Sequence, residues 1–185
     1  MSLVKPKVMV LRKALDSLFQ AAAWLAMASI VATFLMVMSG IVGRLIDVNL
    51  RGSDAYAGYF MAASAFLGLA HTLKSGAHIR VTLLLEHVGA RAGRWFEVVS
   101  YAGGSFLSAI FAWYAVSLSL QSFVLNDISA YADALPLWIP QTSMAIGALL
   151  FFVAIVDEFV ILLSGRSPQG DQIQAERNAA KESAV

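Results

Sequence analysis

Apolar residues run through this chain in four long blocks, separated by two short connections and a longer, charged middle stretch, and followed by a polar tail. Residues 1–17 carry Lys5, Lys7, Arg12 and Lys13, with Val8, Leu11, Leu15 and Leu18 at helical spacing. That pattern predicts an amphipathic lead-in. From Ser17 to Gly43 no charged residue occurs, and such a block makes about 40 Å of helix, more than a bilayer needs. A basic start before an apolar run invites a secretory-signal reading. This block exceeds an h-region of about 7–15 residues and no small-residue cleavage pattern follows it, so it is expected to remain as a first span.

Spans are predicted at about 18–43, 55–73, 98–126 and 137–156. The second is bounded by Asp54 and Lys74. Gly58, Ala62 and Ala65 share one of its faces, and Ser64 with Gly68 forms another small pair. Gly104, Ser108 and Ala112 repeat the spacing in the third span, where Trp113 and Tyr114 sit mid-span. Small side chains let helix backbones approach closely, which matters where lipid removes the hydrophobic drive between helices. These positions are therefore candidate packing or partner surfaces. The third span is longer than a bilayer requires and must tilt or protrude. The fourth opens at Pro136 to Pro140, where a missing N–H is harmless, with Trp138 at belt level. It meets Asp157 and Glu158, read as interfacial charges or as salt-bridge partners of another protein.

Between spans two and three, His78, Ile79, Arg80, Val81 and Leu84 head an apolar yet charged run to Val88. Arg80, Glu86, His87, Arg91 and Arg94 bar it from crossing a bilayer. A helix at about 78–88 lying along the inner surface satisfies both properties, as a lipid-facing element or as a brace for a larger membrane partner. Residues 164–185 form a polar tail, expected to be disordered or loosely helical.

The composition fits this pattern: 59% hydrophobic, 14% charged, mean hydropathy +0.72. Soluble domains are about 25% charged, so the chain falls in the membrane class. Eleven of the thirteen Lys and Arg fall in the N-terminal, middle and tail segments, leaving only Arg44 and Arg51 in the first connection and none in the last. The positive-inside bias then predicts an all-α membrane protein of four transmembrane helices with both termini in the cytoplasm. Residues 18–163 are its membrane domain.

Chemistry is sparse. With no cysteine there is no thiolate nucleophile and no sulfur metal site. His71, His78 and His87 lie on one stretch at spacings unlike a helical ligand pair, which leaves solvated or headgroup-facing histidines against a metal or haem site; no cofactor is expected. There is no His-Glu-x-x-His, no phosphate-cradling loop and no Gly-x-Ser-x-Gly elbow, so no enzyme is indicated. The basic residues flank spans, which argues against nucleic acid. No Asp, Glu, Lys or Arg falls within the four spans, whereas solute and ion pathways need polar groups at membrane depth. The chain reads as a helper rather than a complete transporter. On the outer face Arg51, Asp54, Asp127 and Asp133 are solvated charges or contacts for an external protein. A stand-alone four-span protein, or the membrane anchor of an enzyme complex, are the readings from other classes.

Three stretches carry a family resemblance: LAHTLKSGAHIRVTLLLEHV (Leu69–Val88), RWFEVV (Arg94–Val99) and LPLWIPQTSMAIGALLF (Leu135–Phe151). The Gly76-x-His78-Ile79-Arg80-Val81 run is the most specific. Over about residues 8–163 the chain resembles the small membrane subunit, DctQ-type, of tripartite ATP-independent periplasmic (TRAP) transporters. The resemblance implies a four-helix bacterial inner-membrane subunit that scaffolds a large transport subunit. It also implies a periplasmic substrate-binding protein that delivers an organic acid, such as a C4-dicarboxylate, and a sodium gradient that drives uptake. The sodium and substrate sites would belong to the large subunit.

Overall fold

The computed structural model describes residues 6–48, 50–75, 90–130 and 134–164, without the side chains of 6–12 and 90–92. Four helices make up the described chain: α1 (Pro6–Leu45), α2 (Ser53–Lys74), α3 (Ala90–Val124) and α4 (Trp138–Leu163). The amphipathic lead-in and the first apolar block are one unbroken helix of 40 residues. Pro6 heads it, where its missing N–H leaves no bond unmade. α3 starts eight residues before the predicted Val98, and α4 carries Asp157 and Glu158 within its last two turns.

Among the described residues three helices are long and apolar enough to cross a membrane: Lys13–Leu45, Gly93–Val124 and Trp138–Leu163. α2 is long enough but less apolar, because Tyr56, Tyr59, Ser64, His71 and Thr72 dilute it. Its place in the bundle explains how it tolerates them. The main contacts run from α1 to α2, from α2 to α4 and from α4 to α3, so α2 and α4 are the inner pair. Burial follows the same order: 44% of the apolar window of α4 is buried, against 11% in α1 and 22% in α3. The expected inner-surface helix with His78, Ile79, Arg80, Val81 and Leu84 lies outside the described residues, as do Asp133 and residues 165–185.

Small residues set the spacing. Ala112 and Ala115 of α3 pack on Ala145 and Ala148 of α4, and Ala26 of α1 packs with Ala63 and Leu67 of α2. A close approach is made at Gly147, where an added Cβ would lie 2.5 Å from the carbonyl carbon and oxygen of Phe66. No other side chain fits there without moving α2 or α4.

Both described connections begin with the same stop signal. Asp47, with φ 54°, follows α1, and the Val48 N–H donates to the Gly43 carbonyl at 2.8 Å. Asn126, with φ 53°, follows α3, and the Asp127 N–H donates to Ser122 at 3.0 Å. Each is a Schellman closure with a left-handed Asp or Asn in the position usually held by glycine. The second connection is further tied by Ser129 N–H to Leu135 O at 2.8 Å and Leu137 N–H to Asp127 O at 2.9 Å.

Candidate functional site

The end of the bundle where α2 finishes holds a cluster of charges. Lys74, the last residue of α2, pairs with Asp157 and lies 3.4 Å from Oε1 of Glu158, both on α4. The Lys74 side chain is only 11% exposed and that of Glu158 only 1%. The Lys74 ammonium also stands 5.5 Å from the centre of the Phe19 ring of α1, a cation–π distance. Around it Phe19, Ala22, Ala70, Leu73, Leu150, Ala154 and Ile155 form an apolar cluster from three helices. In so dry a setting an ion pair is a weak source of net stability but a strict condition on geometry, since removing one partner strands the other. Asp157 and Glu158, read from sequence as interfacial charges, thus meet a cation of their own chain.

The opposite end carries an exposed ion pair. Arg44 and Asp54 join across the first connection at 2.8 Å, both largely exposed. With Asp47 and Arg51 they line an open cleft of about 640 Å³. Tyr59 of α2 donates to the Ser129 hydroxyl at 2.9 Å, pinning the second connection to the bundle. Asp127 is half-buried at the base of that connection.

The predicted packing residues fall into two groups. Gly104 faces Ile155 of α4, whose Cγ2 would lie 3.9 Å from an added Cβ, and Ser108, one turn on, is buried. Those two serve the chain's own α3–α4 packing. Gly58, Ala62 and Ala65 are exposed on α2, and a Cβ on Gly58 would meet nothing within 4 Å. That face of α2 is left open by α1 and α4.

Sequence reasoning missed Gly147, Lys74 and Tyr59. Gly147 had a signal, the small pair it forms with Ser143 one turn earlier, of the same kind as Ser64 with Gly68. Lys74 had a signal as well: it closes the second predicted span while Asp157 and Glu158 close the fourth, opposite charges at the same end of two helices that run in the same direction.

Among the described residues no group of His, Cys, Asp and Glu is placed to hold a metal ion. The residues from 33 to 165 match the model of the family described as tripartite ATP-independent periplasmic transporters, DctQ component. The chain belongs to the DctQ family. No curated protein matches it closely enough to add a relative. As a DctQ component it is the small permease component of a TRAP transporter, a multi-pass membrane protein from a transport rather than an enzyme family. DctQ components function with a large membrane subunit and a periplasmic binding protein. The match begins inside α1 and takes in all of α2, α3 and α4.

Proposed function

We propose that this DctQ component is the fixed scaffold of a TRAP permease in the bacterial inner membrane. In this reading all four helices cross the bilayer. Both termini and the Lys74 end face the cytoplasm, and the cleft beside Arg51 faces the periplasm. The large subunit moves the solute, an organic acid such as a C4-dicarboxylate, on a sodium gradient, after a binding protein has delivered it. Arg51, Asp54, Asp127 and Asp133 at the outer end are the contacts proposed for that binding protein. The open face of α2 with Gly58, Ala62 and Ala65 lets a partner helix approach closely, and the inner-surface segment His78 to Leu84 braces the assembly. Gly104 and Ser108 contribute indirectly, by holding α3 to α4.

The observation that carries this reading is the family match over residues 33–165. The placement of the charges supports it: Lys74, Asp157 and Glu158 at one end are engaged with one another, as expected of a cluster that ties helices together. Reconstitution tests it. Vesicles with the large subunit, this chain and the binding protein are expected to accumulate the organic acid under a sodium gradient, and omission of this chain is expected to abolish uptake. Accumulation by vesicles holding this chain alone would overturn the proposal.

A further inference from the structure

The bundle treats its hydroxyl groups in two ways. Ser29 donates to Leu25 O at 2.8 Å, Thr33 to Ser29 O at 2.9 Å and Ser39 to Met36 O at 2.8 Å along α1. Ser64 and Thr72 of α2 do the same with Met61 and Leu69. A short side chain folds back onto a carbonyl of its own helix and so can face hydrocarbon. Tyr114 has no such option. Its hydroxyl stands at the tip of a rigid ring, beyond reach of its own backbone carbonyls. The residue is 68% exposed on α3, and Trp113 beside it, with its indole N–H, is 73% exposed.

Depth sharpens the point. Phe123 of α3 meets Trp138 of α4 edge-on at 5.5 Å, which puts the two rings at one level. Tyr114 lies nine residues from Phe123, about 13 Å along the helix. In the other direction Gly104 is level with Ile155, and Tyr114 stands ten residues, about 15 Å, beyond it. The hydroxyl is therefore near the middle of a hydrocarbon layer about 30 Å thick, far from the interfaces where Tyr and Trp usually place their polar ends. Lipid tails offer no hydrogen-bond acceptor, and a polar group left unpaired there is costly.

We propose that the face of α3 centred on Tyr114 and Trp113 receives a transmembrane helix of the large subunit that presents a hydrogen-bond acceptor at mid-membrane depth. This rests on the scaffold reading above and names a second surface for the same partner. The occupant is a polar-bearing helix rather than lipid, because two donors on adjacent residues need acceptors that acyl chains lack. Leu107 and Ile110, exposed on the neighbouring turn, supply the apolar remainder of the contact.

The test uses the full chain co-expressed with the large subunit in native membranes. Benzoylphenylalanine is placed at position 114 and, for comparison, at Phe34 on the exposed side of α1. Irradiation is expected to link position 114 to the large subunit more strongly than position 34. Tyr114→Phe, which removes one exposed oxygen, is expected to leave this chain's own melting unchanged and to weaken its association with the large subunit about threefold, the scale of one interhelical hydrogen bond in lipid. Links from position 114 to lipid or to a second copy alone, or an unchanged affinity of Tyr114→Phe, would overturn the proposal while leaving the scaffold reading intact. Failure of the unaltered chain to recover the large subunit would overturn the scaffold reading itself, and this proposal with it.

Discussion

Lys74, at the end of α2, holds its ammonium 3.4 Å from the fully buried carboxylate of Glu158, five residues before the end of α4. Asp157 closes the cluster from the same helix. Lys74→Met strands two adjacent carboxylates in an apolar pocket and is expected to cost about 3–5 kcal/mol, the scale for one missing partner of a buried pair. The combined Lys74→Met, Asp157→Asn, Glu158→Gln variant removes the charges together and is expected to regain most of that loss. Denaturant unfolding in detergent distinguishes them; a single variant as stable as the parent would show that the cluster does not constrain α2 and α4.

Gly147 makes a different demand, of space alone. Gly147→Ala places a methyl group against the Phe66 carbonyl, and neither backbone can yield as a flexible side chain would. Overpacking of this kind costs about 1–3 kcal/mol. A lower melting temperature, together with separation of α2 from α4 measured by a distance probe, is the expected result. Unaltered melting would mean the helices cross more loosely than described.

Ala62 and Gly104 look equivalent on paper and are expected to behave differently. Gly104→Leu pushes into Ile155 and weakens the chain by itself. Ala62→Leu changes an exposed face of α2 and leaves the isolated chain unaffected, while reducing co-purification with the large subunit. Comparing melting of the pure chain with recovery of the complex separates the two effects. Equal recovery of Ala62→Leu and the parent argues against α2 as a docking face.

Because the chain has no cysteine, its orientation is open to single-site labelling. Arg51→Cys is expected to react with a membrane-impermeant maleimide added outside intact cells, and Ser75→Cys only after the membrane is opened. The reverse pattern would invert the proposed orientation.

Tyr59 tests the outer end. Tyr59→Phe removes the bond to Ser129, a loss of about 1 kcal/mol. Faster hydrogen exchange at the amides of Ser129 and Leu137 is the expected sign, and unchanged exchange would leave the backbone bonds as sufficient ties.

Much of this was legible along the chain. Long uncharged blocks can satisfy their backbone in lipid only as helices, so the helical class and the approximate limits of α1, α3 and α4 follow from hydropathy alone. Family membership was legible too, because motifs such as Leu135–Phe151 are local strings. The helix α2 was legible too, expected at 55–73 and found at Ser53–Lys74. Less visible was its place: its own apolarity falls short of its neighbours', and it sits within the bundle because α1 and α4 cover two of its sides.

By itself, then, the sequence determined that the long apolar blocks are helical, roughly where they lie and which family the chain belongs to, since each depends on residues adjacent in the chain. The tertiary structure alone decided which small residues serve the chain's own packing and which stay open. It also decided that Lys74 meets Asp157 and Glu158, and that Gly147 lies against the Phe66 backbone. Those outcomes depend on how four helices are rotated and ordered about one another. α4 lies between α2 and α3 in space though it comes last in sequence, and no periodicity within a single helix encodes that order.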